Sequence, residues 1–162
     1  MKFKVCLVVD NPLRDLEGIT LIAWHLAKQD IVCYIVPMYY QAFDIIAIKP
    51  DLVIMNYIRP NNVNLLLRYK KENIKICILD TEGSPGKDLS KFASFIYKIK
   101  ERDLVDIYCL WGKDQYNAFK KLKLFDENKL KITGCPRYDF CSPPYNKNLP
   151  KVFNNQKFVL VN

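Results

Sequence analysis

Six short apolar runs recur along this chain with helix-length segments between them, and that alternation limits the possible fold more than any other feature. The runs are Phe3 to Val9, Ile31 to Val36, Leu52 to Asn56, Ile74 to Leu79, Asp106 to Leu110 and Leu130 to Thr133. They are continuously apolar instead of alternating, as strands covered on both faces are. The stretches between them, roughly 16–28, 39–48, 61–72, 89–101 and 113–124, carry helical spacing, as in Phe92, Phe95, Ile96 and Ile99. Repeated βα units predict an α/β domain built on a doubly wound parallel sheet of about six strands.

Size and composition agree with a single core. The chain has 162 residues, 50% hydrophobic and 26% charged, which excludes disordered, collagen-like and coiled-coil classes. Its longest stretch without a charge, Ile31 to Phe43, is interrupted by Pro37 and is shorter than the roughly 20 residues of a membrane-spanning helix. The start, MKFKVCLVVD, lacks a small-residue cleavage site and reads as a first strand, so the expected location is cytoplasmic. The six cysteines form no CxxC pair, and the first four lie inside apolar runs, where they read as small reduced core residues. A single histidine, His25, cannot build a zinc site, and no metal centre is expected.

The segment Tyr138 to Gln156 carries three prolines and five Asn or Gln residues and breaks the βα pattern. The expected organisation is a domain over 1–141, a linker over 142–156, and, in Lys157 to Asn162 (KFVLVN), the first strand of a further domain. The net charge of +8 falls wholly after residue 60, since 1–60 holds six basic and six acidic side chains and 61–162 holds 19 and 11. Such an excess favours phosphate-bearing or otherwise anionic partners. One further reading concerns Leu89 to Arg102, whose apolar stripe flanked by Lys91, Lys98, Lys100 and Arg102 suits either an anionic bilayer at the inner face of the membrane or the sheet itself.

In a doubly wound sheet ligands bind beyond the carboxyl ends of the strands, so the residues just after each run are the candidates. The first turn has no GxGxxG and the chain has no GxxxxGK[ST], which excludes a dinucleotide fingerprint and a P-loop. A phospho-receiver needs an aspartate where this chain has Asn56. What remains is the carboxylate pair Asp80 and Glu82, followed by the turn Gly83-Ser84-Pro85-Gly86. A carboxylate in such a cleft suits general-base attack through a sugar hydroxyl, while spacing alone also fits an acidic turn that caps the following helix. Asp10, Asn11 and Arg14 follow the first strand, Asn56, Tyr57 and Arg59 the third, and Arg137 the sixth. The three arginines, from three loops at one edge, are candidates to converge on a phosphate or carboxylate.

Trp111-Gly112-Lys113-Asp114-Gln115 and Thr133-Gly134-Cys135-Pro136-Arg137-Tyr138-Asp139 resemble the WGxxQ and TGxPRxD patterns of bacterial GT-B enzymes that build surface polysaccharides. Asn56-Tyr57-Ile58-Arg59-Pro60-Asn61-Asn62 and Asp80-Thr81-Glu82-Gly83 are similar to strings in the surface carbohydrate biosynthesis proteins. A looser similarity reaches the glycerol-phosphate polymerases of teichoic acid synthesis, and TGxPRxD-like turns also occur in sugar-nucleotide epimerases. The resemblance implies the N-terminal, acceptor-side half of a two-domain glycosyltransferase working on lipopolysaccharide or capsule. It implies Glu82, or next Asp80, as the base, and Asp10, Asn11, Arg14, Asn56, Tyr57, Arg59 and Gly83 near the acceptor. Arg137 would stand by the interdomain cleft, the nucleotide sugar would sit mainly on the other domain, and no metal or organic cofactor is implied. Nucleic acid is not an expected partner. A glycerophosphate transferase domain and a non-catalytic α/β module are the alternatives.

Overall fold

The computed structural model describes residues 2–81 and 89–148. All six expected strands form: β1 (Lys4–Val9), β2 (Val32–Pro37), β3 (Leu52–Met55), β4 (Lys75–Ile78), β5 (Ile107–Leu110) and β6 (Leu130–Ile132). They make one wholly parallel sheet in the order β2-β1-β3-β4-β5-β6. The chain reverses direction across the sheet between β1 and β3, and the crevice where a ligand is expected in such folds opens beyond their carboxyl ends.

Both faces of the central strands are buried, which is why the runs are continuously apolar. Val5, Leu7 and Val9 join Ile54, Cys77, Leu79 and Cys109 in one core layer, packed beneath Ile19 and Ala23 of α1 (Pro12–Ala27). Cys6, Val8, Val53, Met55, Ile76, Ile78, Tyr108 and Leu110 face the other way. They meet Ile45 of α2 (Gln41–Ile48), Leu66 and Tyr69 of α3 (Val63–Lys71), Ala93 and Ile96 of α4 (Leu89–Tyr97), and Phe119 of α5 (Lys113–Lys121). The edge strands β2 and β6 carry most of the exposed strand positions.

Helix ends differ from the periodicity in instructive ways. α1 begins at Pro12, ahead of the expected residue 16, because Asn11 caps it by accepting from the Leu13 N–H at 3.0 Å and Pro12 supplies a pre-set φ. With only five glycines available, α1, α2, α3 and α5 are followed by Asp30, Lys49, Asn73 and Lys123, all left-handed with φ from 48° to 62°. Asp and Asn tolerate that region, whereas the two lysines do so at a cost of about 1 kcal/mol each. The stripe of Phe92, Phe95, Ile96 and Ile99, in and just after α4, turns mainly to the sheet: Ile96 and Ile99 are buried in its core together with Ala93, Phe92 packs against that core, and Phe95 is half exposed.

After β6 a short helix α6 (Pro136–Asp139) lies against α1. The expected linker does not leave the domain at once. Tyr145 returns to α1, where its hydroxyl meets His25 Nε2 at 2.8 Å. His25 is a surface residue, and the rest of the linker and the KFVLVN segment lie outside the described residues. All six cysteines are free; Cys6, Cys77, Cys109 and Cys135 are buried, while Cys141 is exposed.

Candidate functional site

The carboxyl edge of the sheet gathers the sequence candidates, and each loop is held by its own polar chemistry. After β1, Arg14 lies between two carboxylates, with Nε and Nη2 donating to Asp15 Oδ1 at 2.7 Å and Oδ2 at 2.8 Å, and Nη2 donating to Asp10 Oδ2 at 3.0 Å. The Asp15 hydrogen bonds, then its charge and that of Asp10, hold the Arg14 guanidinium above its ordinary pKa. Asp15 is buried and also accepts the Asn11 N–H at 3.3 Å. Asp10, Asn11 and Arg14 therefore build the start of α1.

Beyond β3 the sheet pairing continues one step further, with the Leu79 N–H donating to Met55 O and the Thr81 N–H to Asn56 O, both at 2.9 Å. Asn56 is buried beside Thr81. The loop it opens is clamped by Asn62, whose amide accepts from the Arg59 N–H at 2.9 Å and donates to Tyr57 O at 2.8 Å. Arg59 projects over three rings, with its guanidinium carbon 5.1 Å from the centre of Tyr57, 5.5 Å from Phe92 and 5.9 Å from Phe95. A guanidinium fixed this way keeps its planar fork oriented, as recognition of a carboxylate or phosphate requires.

At β4 the chain turns at Asp80, a non-glycine residue at φ 53° with no exposed surface. Its carboxylate Oδ2 accepts from Tyr108 Oη at 3.1 Å and from Gln115 Nε2 at 2.9 Å. Its carbonyl accepts from Trp111 Nε1 at 2.8 Å, and the Trp111 N–H donates to Gln115 Oε1 at 2.8 Å. Burial, then the Asp80 charge, pushes the Tyr108 phenol well above its ordinary pKa, so it remains an O–H donor. The WGKDQ string thus has a physical role, because its Trp and Gln lock the turn that begins at Asp80. Asp80 faces this lock and not solvent. Glu82 and Gly83 lie outside the described residues.

The second motif meets the first. Gly134 adopts φ 80°, and its N–H and that of Thr133 both donate to Leu110 O, at 3.1 and 2.9 Å. This turn brings Arg137 over Trp111 at 5.6 Å and Tyr138 at 5.1 Å, with Trp111 and Tyr138 edge to face at 5.7 Å. Arg137 Nε is buried and has no hydrogen-bond partner among the described residues. A cleft of about 310 Å³ opens beside this cluster, lined by Leu89, Trp111, Gly112, Lys113, Asp114 and Gln115. The three arginines share the edge but occupy three separate settings: carboxylates for Arg14, aromatic rings for Arg59, and the Trp111–Tyr138 pair for Arg137.

Sequence reasoning overlooked Asp15 and Tyr108. Asp15 carried a signal, since an acid in the first turn of a helix one residue after an arginine suggests pairing. Tyr108 sits in mid-strand and carried none. Among the described residues no group of three or more His, Cys, Asp or Glu side chains is placed to hold a metal, and no helix is long and apolar enough to cross a membrane.

The chain matches no protein-family model, and no curated protein matches it in sequence. Among solved structures it is similar to a Listeria monocytogenes protein assigned as a UDP-N-acetylglucosamine 2-epimerase, at 13% identity and a TM-score of 0.63, covering 96% of this chain and 49% of that one. It is also similar to Staphylococcus aureus MnaA in a co-structure with UDP, at 14% identity and a TM-score of 0.58, covering 94% and 49%. The chain spans about half the length of each of these proteins. Its six-stranded parallel sheet, helix-covered on both faces and with clamped loops at the carboxyl edge, is the Rossmann-like fold of one GT-B-like half.

Proposed function

We propose that this chain is the acceptor-side half of a GT-B enzyme that transfers a sugar from a nucleotide-activated donor to a bacterial surface glycan. The observation that carries the reading is the lock between the two motifs: Trp111 and Gln115 hold Asp80, and Arg137 packs on Trp111, at the sheet edge where this fold binds ligands. The likeness to MnaA, solved with UDP, supports a nucleotide-sugar substrate for the whole protein.

In this mechanism the acceptor hydroxyl lies over the turn after β4, and Glu82 takes its proton as the oxygen attacks the anomeric carbon. Asp80 is the positioning residue that sets this turn through Tyr108 and Gln115. Asn56, Tyr57 and Arg59 line the acceptor side, with Asp10, Asn11 and Arg14 shaping the rim. Arg137 faces the donor, whose leaving phosphates are neutralised by cationic side chains and helix N-termini, so the reading needs no metal or organic cofactor. Lipid-linked acceptors would place the enzyme at the cytoplasmic face of the membrane.

A second reading, inversion at C2 of a UDP-sugar, is favoured by the assignment of the Listeria protein. The full-length protein assayed with UDP-sugars separates the two. Transfer requires a glycan acceptor and releases UDP, epimerisation proceeds without an acceptor, and activity with CDP-glycerol alone would indicate polyol-phosphate transfer. Calorimetry on the present chain tests the division of labour. Nucleotide sugars should bind weakly, and a Kd below about 10 μM, roughly −7 kcal/mol, would put the donor site in this half and overturn the acceptor-side assignment.

A further inference from the structure

Edge strand β2 ends the sheet, and among the described residues no strand lies beyond it. Its outward backbone groups follow from the register. The Val32 N–H donates to Phe3 O at 2.9 Å, and Val32, Tyr34 and Val36 stand opposite Lys4, Cys6 and Val8 of β1. In a parallel pair such residues turn both N–H and C=O to the partner strand, and the alternate residues turn theirs away. Cys33 and Ile35 therefore direct two N–H donors and two C=O acceptors out of the sheet. This stretch is bounded on both sides, since the Ile31 N–H donates to Leu26 O at 3.3 Å and Pro37 has no N–H.

Open edges attract strands, and proteins blunt them with shortness and charge. The other edge, β6, has both devices: it is three residues long with the exposed Lys131 at its centre. β2 has neither. It runs six residues, VCYIVP, within the longest uncharged stretch of the chain, Ile31 to Phe43. Tyr34 and Ile35 are exposed on it, and the exposed Tyr39 and Tyr40 follow. We propose that β2 is a homodimer edge, pairing antiparallel with β2 of a second copy about a two-fold axis at Tyr34 to make one continuous sheet.

A second copy fits this edge for two reasons, of which the first is self-complementarity. With Tyr34 on the axis, Cys33 of each copy stands opposite Ile35 of the other, and each such pair exchanges two backbone hydrogen bonds. All four outward groups of each copy are then satisfied. Moving the axis to Cys33 leaves the Ile35 C=O facing the occupied Ile31 N–H, and moving it to Ile35 leaves the Cys33 C=O facing Pro37. The second reason is charge. The net +8 lies wholly after residue 60, whereas β2 belongs to the balanced first 60 residues. Two copies meet there without the repulsion that the rest of their surfaces exerts.

The side chains divide between the faces. Val36 is buried in the core on the α2 side, and Cys33 packs against the core on the α1 side. By alternation Tyr34 meets its copy on the α2 side, while Cys33 and Ile35 of the two copies interleave on the α1 side. Antiparallel pairing also sets the turn Met38–Tyr40 of one copy beside the start of β2 in the other, which gives the two exposed tyrosines a partner surface.

Sedimentation velocity and light scattering on the full chain, from about 1 to 100 μM, should show a species of twice the chain mass. Ile35→Pro removes an outward N–H that the bonds to β1 do not use, and Tyr34→Lys sets two ammonium groups together on the axis. Both should give monomers with the parent's circular dichroism. Opposed Cα atoms of a non-hydrogen-bonded antiparallel pair lie about 4.5 Å apart, within the disulfide range of about 4.4–6.8 Å. Tyr34→Cys in a Cys33→Ala, Cys141→Ser background should therefore cross-link into covalent dimers on oxidation, and dithiothreitol should release them. Amide exchange should slow at Cys33 and Ile35 as concentration rises, with Tyr34 and Val36 protected throughout. A monomer across the whole range, a dimer that persists in either folded variant, or a dimer whose Tyr34→Cys form does not cross-link would overturn the proposal. None of these outcomes bears on the transferase reading.

Discussion

Gln115→Leu is the most direct probe of the lock around Asp80. The substitution leaves an apolar side chain one atom shorter and removes the 2.9 Å donation to the Asp80 carboxylate and the 2.8 Å bond that Oε1 accepts from the Trp111 N–H. A hydrogen bond to a charged group contributes about 1.5–3 kcal/mol and a neutral one about 1 kcal/mol. Leucine at this buried position returns roughly 1 kcal/mol of apolar burial. The net loss is then about 1.5–3 kcal/mol, or roughly 3–12 °C in Tm for a chain of this size. Tyr108→Phe removes a second donor to the same oxygen, at 3.1 Å, and costs about 1.5–3 kcal/mol. Because both donors serve Asp80 Oδ2, the double variant should differ from the sum of the single ones by more than about 0.5 kcal/mol. Urea unfolding followed by circular dichroism measures all three. A Gln115→Leu variant within about 1 kcal/mol of the parent, with additive behaviour in the double, would refute the view that the WGKDQ motif anchors the β4 turn.

Three further outcomes are expected. On the proposed transferase reading, Glu82→Gln in the whole protein should lower the transfer rate at least about 100-fold with Tm nearly unchanged; retained activity with lowered stability would make Glu82 a structural cap. Gly18→Ala should destabilise by about 1–3 kcal/mol despite its better helix propensity, because the new Cβ would sit 3.0 Å from the Arg137 nitrogen and 3.2 Å from Pro136; an unchanged urea midpoint would show that α6 yields. Burial raises Tyr69 and Tyr108 above the ordinary 10.0, and Cys6 from 9.0 to about 11, so the folded state keeps protons that the unfolded chain releases. This contribution is complete below pH 9 and is lost as pH climbs above about 9–10. The urea midpoint should therefore fall between pH 8 and pH 10.5, and a constant midpoint would refute the assignment.

The strands were legible in the sequence because a parallel strand buried on both faces needs an unbroken apolar run, and runs such as Phe3 to Val9 have no other economical explanation. The same logic placed the candidate residues at the carboxyl edge before any coordinates. Helix starts were less legible, since the cap at Asn11 and Pro12 acts through backbone groups that hydrophobic periodicity does not record. The use of the Leu89–Arg102 stripe was undecidable from spacing, because a bilayer and a sheet ask for the same pattern; only the packing of Ala93, Ile96 and Ile99 against the sheet assigns it.

The roles of polar side chains were decided by tertiary structure alone. Asp80 and Arg14 read equally well as ligand-binding groups in one dimension, yet Asp80 is fully buried under Tyr108 and Gln115, and Arg14 is engaged by Asp10 and Asp15. Their partners lie 28 and 35 residues away in the first case and within one turn in the second. A hydrophobic pattern is a property of each segment and survives in the string of letters. A hydrogen bond depends on distance and angle between groups from different segments, and those exist only once the strands have taken their places in the sheet.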